Sequence, residues 1–144
     1  VDADKLGGQV KLLFPMITTL EEIHRLRAMT RKAMSQLKKQ GQEYREVPLG
    51  MMLEVPAAAV SIETMLPVVD FVSIGSNDLV QYLMAADRDN PKVSHLCQPL
   101  SPAVLRVLTR VIRTCRKAGK TVTLCGEMAG SPRNTGGATA ISKA

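Results

Sequence analysis

The chain of 144 residues has no tryptophan and only two phenylalanines and two tyrosines. Its core must therefore be aliphatic, built on Leu, Val, Ile, Met and Ala. The same scarcity removes the aromatic platforms on which single-stranded nucleic acid stacks. Cysteine is scarce as well. Cys97, Cys115 and Cys125 are odd in number and form no close pair, which argues against a disulfide framework. His95-Leu96-Cys97 has no second ligand pair at zinc-like spacing. No apolar run approaches the roughly 18 residues of a membrane-spanning helix, and no basic segment followed by an apolar one opens the chain. The expectation is a cytoplasmic protein with no membrane span.

What is present is ordinary for one globular domain: 45% hydrophobic and 22% charged residues. Net charge is +6, from 19 basic and 13 acidic residues. Much of the basic charge lies in one run, Arg25, Arg27, Arg31, Lys32, Lys38, Lys39 and Arg45. Glu21, Glu22, Glu43 and Glu46 flank that run. With stacking residues nearly absent, a solvated helix face explains it better than nucleic-acid binding.

In chain order, residues 1–9 read as a loop or cut end. Val10 to Phe14 is a strand closed by Pro15. Thr18 or Thr19 caps a helix with Glu21 and Glu22 in its first turn. Leu20, Ile23, Leu26, Met29, Ala33 and Leu37 give that helix its apolar stripe, to about Lys39, and Gly41 ends it. Leu49 to Leu53 is the second strand and ends at Glu54. Val55-Pro56 opens an alanine-rich helix to about Leu66. Phe71 to Ile74 is the third strand, ended by Asn77-Asp78, and a helix covers Leu79 to Ala85. After a loop from Asp87 to Ser101, Ser101 and Pro102 start a long helix that Gly119 stops. Its stripe is Val104, Leu105, Leu108, Val111, Ile112 and Cys115. Thr121 to Leu124 is the fourth strand, ended by Cys125, Gly126 and Glu127.

Strand and helix alternating four times predict βα units and a parallel sheet, with strands covered on both faces. Four units are half of an eight-stranded barrel, which takes about 250 residues. The fold class is therefore α/β, either a smaller open sheet or a partial (βα)8 barrel. Residues 134–144 carry neither stripe nor strand and read as a foreign or truncated tail.

The strand ends hold the chemistry. In a parallel sheet Glu54, Asn77, Asp78, Cys125 and Glu127 all fall on one face, where such folds bind ligands. Two carboxylates from neighbouring strands suit Mg²⁺, with substrate oxygens and water completing the shell. Arg88 could hold an anionic substrate. Cys125 is no hard-metal ligand but could act as an acid or nucleophile. Structural roles compete at each position. Asn77 or Asp78 could cap a helix, and Glu54 could sit at a helix N-terminus. Arg88 could pair with Asp87 or Asp89, and Cys125 could be a small buried residue.

Four segments then match known motifs: Leu53-Glu54-Val55-Pro56-Ala57-Ala58, Ser73 to Tyr82, Ala86-Asp87-Arg88-Asp89-Asn90 and Leu124 to Gly130. Phe14-Pro15-Met16-Ile17 and Gln98 to Pro102 agree with them. Over residues 10–133 the chain resembles the PEP-utilising enzymes, most closely the Enzyme I branch of the bacterial phosphotransferase system, its nitrogen-related paralogue included. The resemblance implies a C-terminal (βα)8 barrel of which this chain would hold about the fourth to seventh units. It implies Mg²⁺ on Glu54 and Asp78, phosphoenolpyruvate phosphate on Asn77, Arg88 on the anionic substrate, and Cys125 as proton donor to the enolate that becomes pyruvate. The phosphoryl group would go to a histidine on an N-terminal domain, and from there to a phosphocarrier protein. Enzyme I relatives dimerise through this barrel.

Departures are few. Ser76 stands where the family usually has threonine, and neither His24 nor His95 lies in the phosphohistidine motif. The family's further arginines and eighth strand are not in this sequence, so the chain alone is expected not to complete phosphotransfer. A half barrel would also expose two sheet edges and an apolar interior. A dikinase of the same family that also uses ATP, and a non-catalytic regulatory or residual fragment, are the alternatives.

Overall fold

Four short apolar segments set the architecture. In the computed structural model, which describes residues 10–130, they are β1 (Leu12–Phe14), β2 (Leu49–Leu53), β3 (Phe71–Gly75) and β4 (Thr121–Cys125). All pair in parallel, in the order β1-β2-β3-β4. Sequential order without reversal is that of consecutive barrel strands, so the chain is α/β and forms an arc of a (βα)8 barrel. The proposed end segments, 1–9 and 134–144, lie outside the described residues.

The connections are helical. Helix α1 (Leu20–Lys39) follows β1 and starts at a capping box. Thr19 Oγ1 accepts from Glu22 N at 3.4 Å, and Glu22 Oε2 accepts from Thr19 N at 2.9 Å. The stripe predicted along it is only partly used. Ile23 is its one buried residue, and Met29 is 66% exposed. Twenty residues of helix span about 30 Å, far beyond the reach of a three-residue strand, so the C-terminal half overhangs the sheet. The predicted helix from Pro56 to Leu66 is broken into α2 (Pro56–Val60), α3 (Ile62–Met65) and a 3₁₀ turn, Leu66–Val68. At the first break Ser61 Oγ donates to Ala57 O at 2.7 Å, a side chain competing with the helix's own hydrogen bonds.

Helix α4 (Ser76–Met84) starts three residues earlier than its apolar pattern suggests. A 3₁₀ turn, Ser94–Leu96, lies in the loop beyond it. Helix α5 (Pro102–Lys117) has the predicted cap, Ser101 Oγ accepting from Val104 N at 3.4 Å. It buries Val104, Leu108, Val111 and Cys115, one residue per turn. The short α6 (Glu127–Gly130) follows β4.

One expectation fails. The helices cover one face of the sheet, not both. Met51, Leu53, Val72 and Ile74 point into the apolar core, with Val122 and Leu124 packed against it. Side chains alternate along a strand, and the register pairs Met52 with Ser73, Ser73 with Thr123 and Gly75 with Cys125. The second face therefore carries Met52 and Glu54, Ser73 and Gly75, and Thr123 and Cys125. That face corresponds to a barrel interior. It is small and polar toward the strand ends rather than apolar throughout.

Candidate functional site

Glu54 follows β2 directly, on the second face. It is 4% exposed, and its Oε1 accepts from Met16 N at 2.7 Å. Met16 holds a left-handed backbone, φ 54°, just after β1, an unusual conformation for a residue with a side chain. Next to Glu54, Gly75 leaves room that no other residue would. A β-carbon there would lie 2.7 Å from Glu54 Oε2. Burial, in the first place, drives the Glu54 carboxyl above the ordinary carboxylate range. The Met16 N–H pulls the other way, and the charge of Asp78 and a hydrogen bond with it push up again.

Asp78 comes from the first turn of α4. Arg88, just beyond that helix, reaches back to it, with Nη1 3.6 Å from Asp78 Oδ1. The expected partners Asp87 and Asp89 are not those recorded for the guanidinium. Asp87 instead turns its own loop, Oδ1 accepting from Asp89 N at 2.9 Å. Three sequence-derived residues, Glu54, Asp78 and Arg88, thus stand in one chain of contacts across the ends of β2 and β3.

Asn77 does not cap the helix, and neither does Asp78. The cap position belongs to Gly75, without a side-chain bond. Because helical backbone begins at Ser76, Asn77 is free to reach sideways, and its Oδ1 accepts from Glu127 N at 3.0 Å. That fixes the amide so that its Nδ2 group remains a donor. Ser76 Oγ donates to Cys125 O at 2.7 Å, tying β4's end to the same turn. The tie needs Gly126, whose φ is +100°. A β-carbon there would lie 2.5 Å from Ser76 Oγ and 2.7 Å from Asn77 Oδ1.

Cys125 is half-buried. Its Sγ donates to Ile74 O at 3.1 Å and accepts from Ser73 Oγ at 3.5 Å. Of the other cysteines, Cys97 Sγ donates to Ala86 O at 3.2 Å, and Cys115 is buried under α5. His24 lies on α1 and His95 in the 3₁₀ turn. Beside Asn77 and Arg88 a cleft of about 210 Å³ opens, lined also by Ser76, Cys97 and Glu127.

Sequence reasoning missed Ser73, Gly75, Gly126 and the Met16 amide. The alternation Phe71-Val72-Ser73-Ile74-Gly75 carried a signal for Ser73 and Gly75. Nothing local marks Met16.

The donor set suits a hard divalent cation. Two carboxylates meet here, one of them driven toward its neutral form by burial first and by the other's charge second, and a cation between them would favour the charged form of both. Among the described residues no group of three or more His, Cys, Asp or Glu side chains could hold a metal alone. The remaining ligands would have to be substrate oxygens and water, as is usual for Mg²⁺.

The family model for the PEP-binding domain of PEP-utilising enzymes matches residues 1–139. The phosphoenolpyruvate-protein phosphotransferase of Bacillus subtilis (strain 168) is 48% identical over 124 residues, 85% of this chain and 22% of the relative. That of Geobacillus stearothermophilus is 47% identical over 126 residues, 87% of this chain and 22% of the relative. The chain thus spans about a fifth of the length of these curated relatives. Among solved structures, a citrate lyase from Burkholderia xenovorans LB400 superposes with a TM-score of 0.56. Its identity is 20%, and the match covers 83% of this chain and 38% of that one, a likeness of fold. No described helix is long and apolar enough to cross a membrane. By the family match over nearly its whole length, the chain belongs to the PEP-utilising enzymes, in their PEP-binding domain.

Proposed function

We propose that this chain is the phosphoenolpyruvate- and Mg²⁺-binding arc of a phosphoenolpyruvate-protein phosphotransferase. The observation that carries the reading is the contact chain Glu54, Asp78, Arg88 at the ends of adjacent parallel strands. It offers two hard carboxylates for a cation and a guanidinium for an anion in one place. Glu54 and Asp78 would hold Mg²⁺, which when bound supplies positive charge against the substrate's phosphate and carboxylate. Arg88 adds a second positive charge, and the Asn77 amide offers donors to phosphate oxygens.

The reaction breaks the bond between phosphorus and the enol oxygen. The phosphoryl group goes to a histidine nitrogen on another domain. The electron pair left on the enolate takes a proton at C3 from the Cys125 thiol, giving pyruvate. Solvent then returns a proton to the thiolate. The complete protein would be a cytoplasmic homodimer that passes its phosphoryl group on to a phosphocarrier protein.

Pyruvate release from phosphoenolpyruvate by the complete protein tests this. Glu54→Ala and Asp78→Ala should each lower it by about a hundredfold or more, the scale of losing one preorganised electrostatic group. Unchanged rates in both variants would sink the assignment. Calorimetry of this chain with phosphoenolpyruvate and Mg²⁺ checks binding directly.

A further inference from the structure

We propose that Ser73 is a positioning residue for Cys125: its hydroxyl donates to the sulfur and stabilises the thiolate that remains once the proton has left. The proposal rests on the reading of Cys125 as proton donor.

Ser73 lies in the middle of β3 and is 6% exposed. A hydroxyl so buried needs a partner. The hydrogen bond recorded for this one is to Cys125 Sγ, at 3.5 Å. The sulfur's own proton is directed elsewhere, to Ile74 O at 3.1 Å. The sulfur lone pairs are therefore the acceptor, and Ser73 is the donor. Register makes the contact possible. Cys125 stands opposite Gly75, and Ser73 is two residues earlier on the same face. Gly75 puts no side chain between them. The backbone of Cys125 is held too, through Ser76 Oγ on its carbonyl at 2.7 Å. Two serines of one β3–α4 segment thus fix both the sulfur and the main chain of Cys125.

The consequence is chemical. An O–H to a neutral sulfur is a weak bond, and the same O–H to a thiolate is charge-assisted and stronger. The bond therefore strengthens as the thiol gives up its proton, which eases donation. Other charges act on the thiol as well. Glu54, Asp78, Arg88 and Glu127 lie at the same strand ends. Helix α5, packed across β4's other face, turns Arg106, Arg110, Arg113, Arg116 and Lys117 outward, all exposed. Lys120, at the start of β4, donates to Val69 O at 2.7 Å. The variants below leave all of these in place.

The test is alkylation of this chain by iodoacetamide across pH 6–10, resolved peptide by peptide so that Cys125 is read apart from Cys97 and Cys115. Ser73→Ala should slow alkylation of Cys125 near neutral pH about tenfold and leave the rate at Cys97 unchanged. Ser73→Thr and Ser73→Val have nearly equal volume and differ in the hydroxyl. That pair decides the matter if alanine loosens the strand. Thr should keep the native alkylation rate, and Val should behave like Ala. Equal rates for Thr and Val, or no slowing in Ser73→Ala, overturn the proposal. Pyruvate release by the complete protein with Cys125→Ala checks the underlying reading separately. Unchanged release would remove the proton-donor role, while the alkylation result would still decide whether Ser73 governs the sulfur.

Discussion

The Glu54 carboxylate fills the space that a side chain at position 75 would need: a β-carbon on Gly75 would lie 2.7 Å from Oε2 and 3.2 Å from Glu54 Cβ. Gly75 has an ordinary φ of −81°, so the requirement is one of room and not of backbone freedom. Gly75→Ala should therefore cost about 1–3 kcal/mol, as overpacking does, and displace the carboxylate. Urea unfolding with and without Mg²⁺ checks it. The native chain should gain stability from Mg²⁺, and the variant should gain little. An undiminished Mg²⁺ effect in Gly75→Ala would separate Glu54 from the cation.

Without a cation, Glu54 gives the protein a pH dependence of known sign. Its folded pKa is raised, so the neutral form fits better. Its stabilising contribution is full below the ordinary carboxylate range and declines as pH rises through the raised folded value. Glu54→Gln should remove that decline. Asp78→Asn should only reduce it, because burial is the larger cause and Asp78 the lesser. Urea midpoints measured in chelator from pH 4 to 8 give the comparison. A native-like decline in Glu54→Gln would assign it to another group.

Cys115 supplies an alkaline counterpart far from the site. It is fully buried between α5 and the sheet, and burial pushes its thiol from 9.0 up to about 11. The contribution is complete below pH 9 and is lost as pH rises through 11. The loss is roughly 2–3 kcal/mol at its limit. Cys115→Ala should lower stability at pH 7 through the vacated volume, yet flatten the fall between pH 9 and 11. Thermal midpoints across that range will show it. An equal alkaline fall in the variant would refute the assignment.

Gly119 and Gly126 separate two costs of a β-carbon. Both have positive φ, +67° and +100°. Around Gly119 nothing lies within 4 Å, whereas Gly126 faces Ser76 and Asn77. Gly119→Ala should cost about 1 kcal/mol of backbone strain and leave ligand binding intact. Gly126→Ala should cost more and weaken phosphoenolpyruvate binding by moving Asn77. Paired denaturation and calorimetry distinguish them, and matching losses of binding would contradict the assigned role of Gly126.

Much of the fold was legible in local pattern. The strand Leu49–Leu53 and the Ser101-Pro102 helix start appear as the sequence predicts, because caps and apolar periodicity are local signals. The misreadings have long-range causes. The apolar pattern of α4 begins only at Leu79. The structure starts the helix at Ser76, whose hydroxyl is bound to Cys125 O across 49 residues of chain. That contact also turned Asn77 from a helix cap into a partner of Glu127. The one-sided cover of the sheet could have been seen: Thr121-Val122-Thr123-Leu124-Cys125 alternates plainly. The contact of Ser73 with Cys125 could not, since it exists only through the register that sets Gly75 opposite Cys125.

That register divides each strand by parity. In β3 and β4 the even positions, Val72, Ile74, Val122 and Leu124, answer to the helices, and the odd ones, Ser73, Gly75, Thr123 and Cys125, answer to the site. In β2 the roles are reversed, with Met51 and Leu53 in the core and Met52 and Glu54 on the site's face. A one-residue shift in frame within a strand would exchange the two sets, sending serine and glycine under the helices and valine and isoleucine into the reacting face. Insertions inside these strands should thus abolish folding and chemistry together, while an extra residue in the 42–48 loop should disturb neither.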